Sequence, residues 1–332
     1  MTLVSIVTPS YNQAAFLEHT IQSVLAQDYA DIEYLVVDGG STDGSVEIIE
    51  GYARRYPDRL VWWVSERDAG QAEAINKGLA RARGELAAWL NSDDLLLPGA
   101  VCAAATALQA NPGLGMVFGD AITIDAQGRP LGRLQFGDLG LADLMRFRII
   151  CQPAVFMRRL LVEQAGLLDP SFHFLLDHHM WLRLARIAPV QHVSGWWAAA
   201  RHHPQAKNTA QAAEFGREAV RLLNWMRANP EYAADLEKDR QRIEAGAHRL
   251  NARYLLDGGQ PGPALRAYGN ALRLSPAFAL QHWHRMVYAA LSLVGAKGLA
   301  SWYFRLRPDR RPDLSVIPGI AAWPGLSGKN DL

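Results

Sequence analysis

Cysteine is almost missing from this chain. Cys102 and Cys151 are the only two in 332 residues, and they do not form a CxxC pair. A disulfide framework is therefore excluded, and a reducing compartment fits. Nowhere does an uncharged apolar run reach the roughly 18 residues that a membrane-crossing helix needs. Met1 to Pro9 lacks a basic stretch followed by a long apolar one, so no signal peptide is expected. A dominant charge is lacking too. Lys plus Arg number 34 and Asp plus Glu 33, for a net charge of +1, which gives no footprint for a nucleic-acid partner.

What is present is an ordinary globular composition, 49% hydrophobic, with ten Trp. At roughly 100–200 residues per domain, the length implies two domains or one domain with an appendage. Short β-rich runs at 3–8, 32–37, 60–65 and 86–90 alternate with segments of helical periodicity at 12–27, 41–52 and 72–83, the second opened by Ser41 to Ser45, whose oxygen-bearing side chains are available to cap it. This alternation predicts an α/β fold, a mostly parallel sheet with helices on both faces. Ligands of such sheets bind at the carboxyl ends of the strands. The residues just after each run are Ser10-Tyr11-Asn12, Asp38-Gly39, Glu66-Arg67-Asp68 and Asn91-Ser92-Asp93-Asp94.

Beyond Pro98 the pattern loosens. Helices are expected over 100–110, 139–148 and 177–186. Strands are expected over 115–119, 151–157 and 190–199, with a hairpin over 121–136 around Gln127-Gly128. From about Gln211 to Pro308 the chain is helical, and Tyr254–Pro276 reads as one tetratricopeptide-like helix pair, too little to form a solenoid alone. The expected organisation is a catalytic domain over 1–208, a helical region over 209–308 and a Pro- and Gly-rich, poorly ordered tail over 309–332. His282 to Arg307 mixes apolar, aromatic and basic residues. It suits either a packed helix or one lying in a membrane interface.

Adjacent carboxylates such as Asp93 and Asp94 repel unless a cation sits between them. Mg2+ or Mn2+ suits carboxylate plus phosphate. The alternative is a turn with acids that cap a helix.

Four stretches, in this order, carry a resemblance: SIVTPSYNQAAFLEHTIQSVLAQDY (5–29), YLVVDGGSTDGSVEII (34–49), ERDAGQAEAINKGLARARGELAAWLNSDD (66–94) and FLLDHHMWLRLA (174–185). Together they resemble the inverting family-2 glycosyltransferases of GT-A fold. The resemblance covers about 1–205 and leaves the helical region outside it. It implies transfer of a sugar from a nucleotide-sugar donor, UDP-sugar favoured, to a saccharide or lipid-linked saccharide in cell-surface polysaccharide synthesis. The setting would be cytoplasmic, with possible peripheral contact at the inner membrane face through the C-terminal helices.

The resemblance also implies roles for single residues. Pro9, Tyr11, Asn12 and Asp38 would line the base and ribose. The family often has a second acid after Asp38, where this chain has Gly39, which leaves the base contact to Asp38 or to backbone. Glu66 and Asp68 would face the nucleotide, and Asn76 would support the pocket. Asn91 and Asp93 stand where the family has Asp-Xaa-Asp. Asp93, with Asp94 and His203, would hold a Mn2+ or Mg2+ ion, and Arg201 would grip phosphate. Gln152 would lie on the acceptor side, and Trp181 is expected there from its spacing, about one helical turn from Asp177. Asp177 is the expected catalytic base, with helix capping as its alternative role; His179 replaces a second acid of that motif. Competing readings are a catalytically inactive nucleotide-sugar-binding or scaffold module and, lower, a nucleotidyltransferase.

Overall fold

The computed structural model describes residues 2–296, 298, 320 and 323–326. Two compact units emerge. The first comprises the described residues of 1–140, 150–202 and 320–326, and the second those of 141–149 and 203–298.

The first unit opens with strict alternation. The elements are β1 (Val4–Ser10), α1 (Ala14–Leu25), β2 (Ile32–Asp38), α2 (Ser45–Arg55), β3 (Leu60–Ser65), α3 (Gln71–Arg81) and β4 (Leu86–Trp89). These strands are all parallel, in the order β3-β2-β1-β4. β1 and β2 are buried along their whole length, which is why their sequences run apolar rather than alternating. Gly78 of α3 lets that helix lie directly on β1, since a Cβ there would meet Val7 Cγ1 at 2.3 Å.

The rest of the sheet is mixed. It contains β5 (Leu95–Leu96), then α4 (Ala100–Ala110), β6 (Met116–Ile124) and β7 (Pro130–Leu134). α5 (Leu141–Met145) belongs to the second unit. The chain returns with β8 (Val155–Arg158), α6 (Arg159–Gln164), α7 (Leu176–Ile187) and β9 (Val190–Arg201). β8 runs antiparallel between β4 and β6, β9 is parallel to β6, and β5 pairs antiparallel with β9. The expected short strand and separate hairpin at 115–136 are one long strand, β6, and its partner β7. The short helix α6 and strand β5 were not expected. Five or six residues give no measurable period, and β5 is only two residues long.

The second unit is helical. It holds α5, α8 (Lys207–Ala210), α9 (Ala212–Ala228), α10 (Ala233–Asp257), α11 (Pro261–Leu274), α12 (Pro276–Ala279) and α13 (Trp283–Leu293). α10 bends at Asp239, whose backbone leaves helical geometry. Gly258 and Gly259 join α10 to α11. Two boundaries differ from the sequence reading. Residues 141–149 join the helices, and the units divide at His202–His203 rather than at 208.

The described residues of the expected poorly ordered tail are packed. Ile320, Trp323 and Leu326 pack on Leu95, Leu97, Ile122 and Ile124. The Trp323 indole N–H donates to the Leu96 carbonyl at 2.7 Å. Most of 297–319 and 327–332, and with them the end of the expected 282–307 helix, lie outside the described residues.

Candidate active site

The four parallel strands end on one edge, so the four polar clusters share it. Two of their loops are sewn together. Asn12 takes the left-handed region, φ 51°, and its N–H donates to Ser41 Oγ at 2.8 Å while its Oδ1 accepts from Thr42 N–H at 2.9 Å. Asp43 Oδ2 accepts from Ala14 N–H at 2.9 Å. The oxygen-bearing run 41–45 was expected to cap α2. Instead the N-cap is Gly44 with no side-chain bond, and Ser41 and Asp43 brace the loop after β1.

Asp38 is fully buried. Its Oδ2 accepts from Gly40 N–H, Ser41 N–H and Ser65 hydroxyl, and its Oδ1 accepts from Ser41 hydroxyl. Four donors leave it nothing for a nucleotide, so Asp38 pins the loop and does not line the pocket. Pro9 is buried inside β1 opposite Val37 and likewise offers no lining surface.

A different acid stands free. Asp68 Oδ1 accepts from Gly70 N–H at 2.9 Å. Its Oδ2 faces Gly39, where a Cβ would lie 3.0 Å from that oxygen and 3.2 Å from the Tyr11 ring. Gly39 thus makes room for the Asp68 carboxylate beside Tyr11, which is 63% exposed. Glu66 pairs with Lys77 Nζ at 3.0 Å.

The loop after β4 repeats the arrangement. Asp94 is buried, its Oδ1 accepting Arg201 N–H at 2.9 Å and its Oδ2 accepting Asn91 Nδ2 at 3.3 Å. Burial first, and then the neighbouring Asp93 charge, push its carboxyl well above the usual range. It is turned inward as a brace, contrary to its expected place among metal ligands. Asn91 is a hub. Its Nδ2 also donates to Gln152 Oε1 at 3.2 Å, and its Oδ1 accepts from Gln71 Nε2 at 2.7 Å. Gln152 in turn donates to the Trp89 carbonyl at 2.8 Å. An Asp at position 91 could not donate to Asp94 and Gln152, which explains the Asn physically. Neither amide is left over for donor or acceptor as expected, and Gln71 had no signal in the sequence.

Arg201 is buried beneath this loop. Nε donates to the Asp93 carbonyl at 2.8 Å and Nη1 to the Asp125 and Ala126 carbonyls, and the guanidinium lies 5.1 Å from the Phe16 ring centroid. With Nε and Nη1 held by carbonyls, each bidentate edge of the guanidinium is already partly used and only the buried Nη2 has no hydrogen-bond partner, so Arg201 is a brace first. Asn76 makes a reciprocal pair with the Leu168 backbone at 2.8 and 3.0 Å, which anchors the chain leading to α7 and takes both ends of its amide.

Asp177 is half-buried in the first turn of α7, while the N-cap is Leu175. A first-turn acid is favoured by the helix dipole, and Asp177 Oδ1 also accepts the His178 N–H at 2.7 Å, so the side chain helps satisfy the start of α7. Burial raises the Cys151 thiol, and the charges of Asp94 and Asp177 raise it further. Both carboxylates therefore lie within electrostatic reach of one side chain. Cys151 was not singled out in the sequence as a site residue. Trp181 is 1% exposed and stacks on Trp89 with centroids 5.0 Å apart. One helical turn from Asp177, it faces the core and has no surface for a sugar. His179 is buried against Phe172, ring centroids 4.1 Å apart. His203 begins the second unit, buried, with Nδ1 facing Gln205 Oε1 at 3.2 Å.

Among the described residues, no cluster of three or more His, Cys, Asp or Glu forms a ready metal site. With Asp94 turned inward, the β4 loop offers the half-buried Asp93 carboxylate. A single carboxylate completed by diphosphate oxygens and water is a donor set that Mg2+ or Mn2+ accepts.

Comparison with known proteins agrees with this geometry. Residues 5–161 match the family described as Glycosyl transferase family 2. O-antigen biosynthesis protein RfbC of Myxococcus xanthus is 32% identical over 184 residues, covering 55% of this chain and 14% of RfbC. The chain spans 14% to 54% of the length of the first curated relatives it matches. Among solved structures, S. aureus TarS 1-349 in complex with UDP aligns with TM-score 0.58 at 19% identity, covering 92% of both chains. The mannosyltransferase PcManGT of Pyrobaculum calidifontis, in complex with GDP-Man and Mn2+, aligns with TM-score 0.58 at 20% identity, covering 91% of this chain and 88% of that one. Fold, strand-end clusters and sequence match converge: residues 5–161 carry a glycosyl transferase family 2 domain on a GT-A fold.

Proposed function

We propose that this chain is an inverting glycosyltransferase that moves a sugar from a UDP-sugar to a saccharide or lipid-linked saccharide of a cell-surface polysaccharide. The observation that carries the donor reading is the free Asp68 Oδ2 beside the exposed Tyr11 ring. Uracil presents one imide N–H, between two carbonyls, and one free carboxylate oxygen suits it. Guanine presents two adjacent N–H groups and is best met by both oxygens of a carboxylate, but Asp68 Oδ1 already holds Gly70. Tyr11 would stack on the base, with Asn12 and Glu66 at the rim. A divalent cation held by Asp93 and the diphosphate would neutralise charge on the leaving group.

Asp177 would act as base. Its carboxylate takes the proton of the acceptor hydroxyl as that oxygen bonds to the anomeric carbon, and the bond from that carbon to the diphosphate breaks on the opposite face. The products are the glycosylated acceptor with inverted configuration, UDP and a proton. The polysaccharide setting rests on relatives such as RfbC.

No helix among the described residues is long and apolar enough to cross a membrane. Leu280, Trp283, Val287 and Val294 are exposed along one side of α13 and its flanks. That stripe suits peripheral contact with a membrane that presents a lipid-linked acceptor.

Calorimetric titration of UDP, GDP and dTDP, each with and without Mn2+, tests the reading. Mn2+-dependent binding of UDP tighter than GDP is expected. Binding of none of the three would favour the inactive scaffold, and tighter GDP binding would remove Asp68 as the base contact.

A further inference from the structure

Among the described residues of the helical unit, one buried and two part-exposed arginines outnumber the acid beside them. Arg249, Arg253 and Asp257 follow one another at four-residue intervals on α10, so they share one stripe of that helix. Arg249 is 8% exposed. Its Nη1 donates to the Phe278 carbonyl at 3.2 Å and to Gln281 Oε1 at 2.8 Å, and its guanidinium lies 3.9 Å from the Phe278 ring centroid. These partners are all neutral. Asp257 is held by Arg285 at 2.7 Å and approached by Arg253 at 3.8 Å. Among the described residues, two guanidiniums thus share one carboxylate and Arg249 meets none, an excess of two positive charges.

Unpartnered hydrogen-bond groups accompany that excess. The Tyr268 hydroxyl, His282 Nδ1 and Arg253 Nε are buried and have no hydrogen-bond partner, Arg253 Nε keeping only the long 3.8 Å approach to Asp257. Tyr268 is 1% exposed, and its ring centroid lies 6.2 Å from that of His282. The charges of Arg249, Arg253 and Arg285 bear on both Tyr268 and His282, so the five side chains form one neighbourhood. Burial first, then these arginines, push His282 down to about 3, which keeps it neutral, while burial raises Tyr268 to about 12, which keeps its proton. Buried donors and an uncompensated buried guanidinium are both costly. A bound anion would relieve both costs at once.

We infer that Arg249, Arg253, Arg285, Tyr268 and His282 form a binding site for a phosphate monoester, distinct from the donor cleft. A dianion matches the excess charge, and a tetrahedral oxyanion presents acceptors in several directions. Arg285 and Arg253 carry the cluster to the surface, their side chains being 28% and 41% exposed. Two sources share this chemistry, a soluble phosphate monoester and a phosphate headgroup at a membrane. The inference is independent of the transferase reading.

Inorganic phosphate titrated into the full chain by calorimetry tests it. Saturable binding is expected, weakened about tenfold in Tyr268→Phe and in Arg253→Gln, with UDP affinity unchanged in both variants. Tyr268→Phe keeps the ring and removes only the unpartnered hydroxyl, so it preserves the fold. Absence of saturable binding, or equal affinity in both variants, overturns the site. Competition then identifies the source. Displacement of phosphate by glycerol 3-phosphate but not by vesicles of phosphatidylcholine with phosphatidic acid assigns a soluble ligand. Displacement by those vesicles assigns a headgroup, and displacement by neither overturns the phosphomonoester assignment.

Discussion

The loops after β2–β3 and after β4 solve the same problem in the same way. At the first, Asp38 is buried under four donors while Asp68 keeps an oxygen free. At the second, Asp94 is buried against Arg201 and Asn91 while Asp93 stays half-buried at the loop surface. In each place the more buried acid builds the loop and the less buried one stands nearer its surface. The difference lies in what balances the buried charge. Asp38 is met by backbone N–H groups and hydroxyls. Asp94 is met by an amide and one backbone N–H, and burial first and then the second acid beside it push its carboxyl upward. The first loop is therefore complete without a ligand, and the second is better balanced when a cation is bound.

Mutation can separate builders from binders. The largest effect is expected for Asp177→Asn. Loss of the base should lower transfer about 100- to 10,000-fold with UDP affinity within twofold of the parent; a parent-like rate would place the base elsewhere. Next is Asp93→Ala, expected to abolish the Mn2+-dependent part of UDP binding while leaving the melting temperature unchanged. Titration with and without chelator checks it, and intact metal dependence would remove Asp93 from the metal site.

Asn91→Asp should destabilise the chain by about 1–3 kcal/mol, because it removes two donated hydrogen bonds and adds a like charge beside Asp94. Urea unfolding in chelator reads this, and a gain in stability would refute the hub. The smallest effect is pH-limited. Glu33 is 2% exposed. Burial alone would raise its carboxyl, but hydrogen bonds from the Ser5 hydroxyl, the Arg83 backbone and side chain and the Gly84 N–H together hold it below the usual range. A depressed carboxylate stabilises the fold above its unfolded pKa, roughly 4.3, and that stability fades as pH falls through the lower folded value. Glu33→Gln should therefore lower the melting temperature at pH 7 and converge on the parent at acidic pH. A constant difference across pH would contradict it.

Much of the fold was legible in the sequence, for definite reasons. β1 to β4 are apolar runs of four to seven residues closed by polar or Gly residues, and each alternates with an amphipathic helix. After Pro98 the elements are set by long-range pairing. β9 finds β6 and β5 across distant sequence, and no local period announces that.

The site was legible as a set of places but not as a set of roles. Asp38, Asn91, Asp94, Asn76 and Arg201 stand where ligand contacts were expected, yet their hydrogen bonds run inward. Chemical type and position do not say which way a side chain points. The one clue was compositional: Gly39 in place of an acid leaves room, and only the structure shows Asp68 filling it.

The division between builders and binders is tested most directly by measuring UDP affinity and melting temperature together for Asp68→Asn and Asp38→Asn. Asp68→Asn should bind UDP about tenfold more weakly, the loss of one charge-assisted hydrogen bond, with no change in melting temperature. Asp38→Asn should melt lower while its folded fraction binds UDP like the parent. The opposite pattern, a stable Asp38→Asn that no longer binds UDP and an Asp68→Asn that binds normally, would contradict the account.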